Sequence, residues 1–383
     1  MNDEAKTIYL DNASTSYPKP VELSYTLSHF YDQAVGSYGR SGDRHTLECS
    51  AIIEELRDLL AQKIGAEGTG SHIIFTHNAT DGINRVINGL PKLSPDKVLI
   101  SPMEHNAVTR PLYAKLKGAS PLVMPALSDG SINLDALNHQ LQQQKFKLAL
   151  INGMSNVNGM PQPIEQVIRL LRQEQPKCQI LIDASQAFPY INPLPKESLP
   201  DYFVITGHKG SLGPTGTGAL FILNPEAIQP TLLGGNGYRS ELQEPSQLMP
   251  DRFEAGTLNM LGLVAWHAVL NTPHPPLIST EQWRNHLESI QQIPDLQLFA
   301  ANNPIAQGPL YSIRSKRYSP AQLGDLLQNK YHILTRTGLH CAPLAHQTLG
   351  TLPEGTTRIS ISSLTPPSYL DYLHHALHEL HRF

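Results

Sequence analysis

Between residues 72 and 222 short apolar runs recur, each closed by a polar or glycine-containing turn. They are His72-Ile73-Ile74-Phe75-Thr76, Val98-Leu99-Ile100-Ser101, Pro121-Leu122-Val123-Met124, Leu148-Ala149-Leu150-Ile151, Ile180-Leu181-Ile182-Asp183, Val204-Ile205 and Ala219-Leu220-Phe221-Ile222. Runs this short and this continuously apolar suit strands buried on both faces. Helical spacing separates several of them, as at Ile83, Val86, Ile87 and Leu90, and again at Ile164, Val167, Ile168 and Leu171. The alternation predicts an α/β fold with a mostly parallel central sheet flanked by helices. An amphipathic helix is expected over Thr46–Ile64, stopped by Gly65.

A chain of 383 residues exceeds the size at which one core usually divides. The expected division is an N-terminal arm over 1–20 packing with the small domain, a large domain over 21–258, and a small C-terminal α+β domain over 259–383. In the small domain Leu310-Tyr311-Ser312-Ile313 and Arg358-Ile359-Ser360-Ile361 read as strands, followed by an amphipathic terminal helix. A net charge of -4 gives no reason to expect nucleic acid or an anionic membrane as partner. The start of the chain lacks the basic and apolar stretches of a signal peptide, and no apolar run approaches membrane-spanning length. With only Cys49, Cys178 and Cys341, a disulfide framework is not expected, and a cytoplasmic location is. His374, His375, His378 and His381 read as a solvated helix face, so no metal site is expected.

Polar residues gather where the apolar runs end: Glu104-His105-Asn106, Asn156, Asp183-Ala184-Ser185-Gln186 and His208-Lys209. In an open α/β sheet such ends share one crevice, where ligands bind. His77-Asn78-Ala79-Thr80-Asp81-Gly82 opens a helix directly after a strand, which is either a phosphate site or an ordinary capped helix. Lys209 follows an apolar run and precedes a glycine-rich turn. Alone, it is better read as a surface lysine than as a Schiff-base lysine. A nucleotide P-loop is excluded, because Lys209 precedes its glycine instead of following it. Asp183 alters the balance, since a carboxylate at a strand end can hold a protonated heteroaromatic nitrogen. With Lys209 carrying an aldehyde, the two residues would grip opposite ends of a pyridoxal phosphate ring.

The motifs Tyr9-Leu10-Asp11-Asn12-Ala13, Glu104-His105-Asn106-Ala107, Asp183-Ala184-Ser185-Gln186, Thr206-Gly207-His208-Lys209-Gly210, Phe253-Glu254-Ala255-Gly256-Thr257 and Arg336-Thr337-Gly338-Leu339-His340-Cys341-Ala342 occur in this order. They cover nearly the whole chain, which resembles the cysteine desulfurases, pyridoxal-phosphate enzymes of the class V aminotransferase group with fold type I. The resemblance implies that Lys209 carries the cofactor and shuttles a proton. It implies that Asp183 binds the pyridine nitrogen, Gln186 the phenolic oxygen, and that His105 stacks on the ring. Ala79, Thr80, Thr206 and His208 would hold the phosphate, joined by Thr257 from the neighbouring subunit of a homodimer. Asn156, Arg336 and Arg358 would bind the substrate, its carboxylate falling to Asn156 and Arg358. Cys341 would take sulfur from L-cysteine as a persulfide, leaving L-alanine, and pass it to an acceptor protein. A thiolate is the nucleophile this transfer requires, and Arg336 and His340 are expected to favour it. Leu339 stands where some relatives have histidine. Selenocysteine lyase, acting on L-selenocysteine, is the first alternative, and another class V reaction, transamination or epimerisation, the second.

Overall fold

Every residue of the strand Leu148–Asn152 is buried, and its side chains alternate between two cores. Ala149 and Ile151 pack with residues of the helices Arg44–Ile64 and Ile164–Glu174 on one face of the sheet. Leu148 and Leu150 pack with residues of Ala79–Gly89 and Asn106–Lys115 on the other. The same alternation runs through Gln179–Asp183, Tyr202–Thr206 and Gly218–Ile222, so the sheet is covered on both faces. This is the burial pattern that parallel sheets require.

The structure is a computed structural model that describes residues 7–33, 38–39, 42–235 and 243–382. Its large sheet has seven strands in the order Ile73–Thr76, Gly218–Ile222, Tyr202–Thr206, Gln179–Asp183, Leu148–Asn152, Val98–Ile100 and Leu122–Val123. Pairing is parallel except at Gly218–Ile222, which runs antiparallel to both neighbours. The loop 207–217, with no crossover helix, joins it to Tyr202–Thr206, whereas a parallel return uses a crossover connection, usually a helix. The helix expected from Thr46 begins at Arg44, because the Asp43 side chain accepts from the Thr46 N–H and caps it there. It ends as expected at Gly65, whose φ of 98° suits glycine.

A smaller antiparallel sheet orders Arg336–Gly338, Thr356–Ser360, Leu310–Ser315 and Leu296–Phe299. The helices Thr280–Gln291, Pro320–Tyr331 and Ser368–Leu380 contribute to its core. Ile8 and Leu10 join that same core, and Ile8–Tyr9 pairs in parallel with Ile333–Leu334. Residues 1–6 of the arm lie outside the described residues. The helix Met260–Asn271 sends Met260, Leu263 and Trp266 into the large core and packs on Val21–His29 and Arg44–Ile64.

One expectation needs correction at the C-terminus. His381 is buried, bonded through Nε2 to Ser315 Oγ and through Nδ1 to the Leu377 carbonyl, so it anchors the terminal helix and is not part of a solvated face. Among the described residues no cluster of His, Cys, Asp and Glu side chains could hold a metal ion, and no helix is long and apolar enough to cross a membrane.

Candidate active site

A cavity of about 230 Å³ opens at the C-terminal edge of the large sheet. Asn78, Ala79, Thr80, His105, Asn152, Asn156, Asp183, Gln186, Thr206, His208 and Lys209 line it. The expected residues thus converge, because parallel strands deliver their C-terminal ends to one side. The register makes this concrete: Asn152 lies opposite Asp183, and Asp183 opposite Val204.

At one end of the cavity the helix Ala79–Gly89 begins. Asn78 caps it through the Asp81 N–H, and the Gly82 N–H bonds back to the Asn78 carbonyl. Ala79 and Thr80, whose amides precede those two, line the cavity. In the same lining, Thr206 Oγ1 and His208 Nδ1 are buried without a partner. Buried polar atoms are rarely left so, and here they share a cavity with a helix N-terminus. The set fits an anion with several acceptor oxygens. Burial, with the charges of Lys209 and Lys19, holds the His208 imidazolium down to about 4, so its ring is neutral near pH 7.

Asp183 ends its strand almost fully buried, and its Oδ1 accepts from the Ser185 N–H at 2.9 Å and from the Ser185 hydroxyl. His105 caps the helix Asn106–Lys115 by accepting the Ala107 N–H on Nδ1 at 3.0 Å. That bond assigns the neutral ring's proton to Nε2. Burial, reinforced by Lys209, lowers His105 to about 4 and keeps it neutral. Glu104, next to it, is wholly buried; Oε1 accepts from Ser101 Oγ at 2.8 Å and Oε2 has no partner. Burial and then the Asp183 charge push Glu104 up to about 8.

Lys209 sits in the turn between Tyr202–Thr206 and Gly218–Ile222. Only glycine fits at 207, where a Cβ would come within 2.1 Å of Thr217 Oγ1. Burial lowers the Lys209 ammonium to about 8; Asp183 opposes the shift, and Arg358 and Arg336 add to it. A lysine so placed is an amine nucleophile at mildly alkaline pH.

The small sheet supplies the facing side. Arg358 is buried; its terminal nitrogens donate to the Asn156 carbonyl at 2.9 Å, Asp11 Oδ1 at 2.6 Å and Ser14 Oγ at 3.0 Å, and its Nε has no partner. Asn156 Nδ2 donates to the His340 carbonyl at 2.7 Å, leaving its Oδ1 free. Gln186 Nε2 donates to the Ala13 carbonyl at 2.8 Å. Cys341 is exposed, with Arg336 Nη2 at 3.4 Å from its sulfur. His340 and Cys341 both have positive φ, 49° and 56°, which side chains other than glycine seldom adopt. The Asn106 N–H donates to the Cys341 carbonyl at 2.8 Å and helps hold this turn.

The expectation that His340 assists the thiol is corrected by its surroundings. Its ring is buried against His346, bonds through Nε2 to Thr356 Oγ1, and is held neutral by burial. Arg336 is the cation beside the sulfur. Thr257 does not line the cavity; it is exposed and borders a separate pocket with Arg85 and Glu254. Sequence reasoning assigned no role to Asp11, Ser14, Lys19 or Glu104. The Asp11, Ser14 and Lys19 partners lie far away in sequence, as with Arg358 at 347 positions from Asp11, so local pattern carries no signal for them.

The family model described as aminotransferase class-V matches residues 8–373. A protein named probable cysteine desulfurase from Xylella fastidiosa is 32% identical over 352 residues, covering 88% of this chain and 82% of that protein. A cysteine desulfurase from Klebsiella pneumoniae is 31% identical over 352 residues, covering 87% of this chain and 84% of that one. Among solved structures, an apo cysteine desulfurase from Thermococcus onnurineus superposes with a TM-score of 0.87 at 23% identity, over 98% of this chain and 95% of that one, which shows a common fold. The chain belongs to the class-V aminotransferase family and, within it, to the cysteine desulfurases.

Proposed function

We propose that the protein is a pyridoxal-phosphate-dependent cysteine desulfurase that moves sulfur from L-cysteine onto Cys341 and releases L-alanine. The observation that carries the reading is the exposed Cys341 thiol beside Arg336, on a turn tied by hydrogen bonds to Asn106 and Asn156 and thereby to the rim of the Lys209 cavity.

The residues present fit the cofactor: the unpartnered Thr206 Oγ1 and His208 Nδ1, with the helix start at Ala79 and Thr80, suit its phosphate. Asp183 suits its protonated ring nitrogen, and Lys209 its aldehyde. Bound there, pyridoxal phosphate supplies an electron-withdrawing ring conjugated to the substrate carbon. Lys209, depressed to about 8, exchanges protons near neutral pH and is the proton carrier. His105, neutral with its proton on Nε2, would stack against the bound ring without adding charge. Gln186 Nε2 gives one N–H to the Ala13 carbonyl and keeps a second that could reach the phenolic oxygen.

Substrate carboxylate binding falls to Arg358 and Asn156. Three of the five Arg358 N–H donors are engaged, so a carboxylate can take the free Nε or the second N–H of Nη1, or displace Asp11 or Ser14 from Nη2. Cys341 as thiolate then forms an S–S bond to the substrate sulfur while the substrate Cβ–S bond breaks. The electron pair stays with the carbon, which leaves protonated as alanine. An acceptor thiol removes the persulfide sulfur. We place the enzyme in the cytoplasm as a homodimer in which the exposed Thr257 reaches the partner's phosphate site.

Alanine release from L-cysteine in the presence of a thiol reductant tests the reading. Wild type should turn over, while Lys209→Ala and Cys341→Ala should each lose turnover by about a hundredfold or more. Undiminished turnover in Cys341→Ala would remove the sulfur-relay role.

A further inference from the structure

The carbonyl of His208, which forms the peptide bond to Lys209, lies within hydrogen-bond range of four donors from the N-terminal arm. They are Ser16 N at 3.0 Å and Thr15 Oγ1, Ser16 Oγ and Lys19 Nζ at 3.1 Å each. Lys19 Nζ also donates to Ser16 Oγ at 2.8 Å and to the Gly213 carbonyl at 2.7 Å. An ammonium has three donors and no acceptor, so its three partners satisfy it fully. His208 and Gly213 lie on either side of Lys209, and the Gly213 N–H bonds back to the Gly207 carbonyl at 2.7 Å. Lys19 therefore clips the turn carrying Lys209 from both sides, through charge-assisted bonds stronger than neutral ones.

The same arm segment is tied at its other end to the opposite wall of the site. Ser14 Oγ accepts from Arg336 Nη1 at 2.8 Å and from Arg358 Nη2 at 3.0 Å, and the Ala13 N–H donates to Ser360 Oγ at 2.9 Å. Residues 13–19 thus bridge the two guanidiniums of the small sheet and the lysine turn of the large one.

We propose that Lys19 is a positioning residue for Lys209: it locks the 207–213 turn onto the arm, so that the arm sets Lys209 relative to Arg336 and Arg358. The functional part of this inference rests on the reading of Lys209 as the cofactor-binding lysine. Lys19 itself touches neither cofactor nor substrate; it acts through the backbone.

The test compares full-length wild type, Lys19→Met, Lys19→Arg and Ser16→Ala, each freed of cofactor. Hydrogen exchange of the Leu212 and Gly213 amides, both bonded within the turn, is measured first. Exchange should rise roughly tenfold in Lys19→Met, the loss of about one charge-assisted hydrogen bond, with an intermediate rise in Lys19→Arg. Ser16→Ala, which removes one neutral partner and leaves the Lys19 ammonium its two carbonyl acceptors, should shift the same amides in the same direction by less. Pyridoxal phosphate is then added, and the growth of the Lys209-linked absorbance should slow by roughly tenfold in Lys19→Met, with Lys19→Arg again intermediate. Wild-type exchange at these amides in both Lys19→Met and Ser16→Ala overturns the clamp. Raised exchange with an unchanged uptake rate overturns the positioning role and leaves a merely structural one. If wild type itself gains no Lys209-dependent absorbance, the cofactor reading fails, while the exchange data still decide the clamp.

Discussion

Arg336 holds Cys341 and the N-terminal arm with one guanidinium: Nη2 lies 3.4 Å from the Cys341 sulfur, and Nη1 donates to Ser14 Oγ at 2.8 Å. At that range the guanidinium can donate a charge-assisted hydrogen bond to the sulfur when it acts as a thiolate nucleophile. Arg336→Met should therefore slow alkylation of Cys341 by iodoacetamide at neutral pH by roughly a factor of five. Cys49 and Cys178 are buried, so mass spectrometry of the native protein reads Cys341 alone. An unchanged alkylation rate would show that Arg336 does not activate the thiol.

The large sheet was legible in the chain because each strand is buried on both faces, which leaves an apolar run such as Leu148-Ala149-Leu150-Ile151 in the sequence. The strand-end residues followed from it, and Asp183, His105 and Lys209 do share one cavity. What stayed hidden depends on long-range pairing. Asp11 against Arg358 and Lys19 against His208 have no local periodicity, and the antiparallel turn of Gly218–Ile222 depends on how the chain returns after Lys209. His340 misled for a related reason: adjacency to Cys341 suggested a shared role, but the positive φ at both residues accompanies a turn in which the His340 ring is buried against His346.

Thr206→Val removes the unpartnered Oγ1 while nearly keeping the side-chain shape. The dissociation constant for pyridoxal phosphate should rise about tenfold, the cost of one hydrogen bond to a charged group. Pyridoxal, which lacks the phosphate, should bind as it does to wild type. Equal weakening for both ligands would place the phosphate elsewhere.

Lys209 should take up cofactor with a pH dependence of its own. The unprotonated amine attacks, so the uptake rate should climb as pH approaches about 8 and level off beyond it. An unperturbed lysine would keep accelerating toward its ordinary value of 10.5. Stopped-flow absorbance across this range separates the two profiles.

Glu104 makes a prediction about stability. Its carboxyl titrates at about 8 when folded, against 4.5 ordinarily, so between those values the folded state binds more protons than the unfolded one. Stability from this group is complete below about pH 4.5 and declines as pH rises through 8. Glu104→Gln, isosteric with the protonated acid, should remove that decline and stabilise the cofactor-free protein above pH 8 by on the order of 3 kcal/mol. Denaturant midpoints at pH 5 and pH 9 would show it; a variant that loses stability with pH as wild type does would contradict the assignment.

If sulfur passes through Cys341, the mass of the protein itself will record it. Wild type loaded with pyridoxal phosphate and given L-cysteine without reductant should gain one sulfur atom on the peptide containing Cys341, removable by a thiol and matched by one alanine per site. Lys209→Ala should gain none. Alanine formed while Cys341 keeps its unmodified mass would contradict the account.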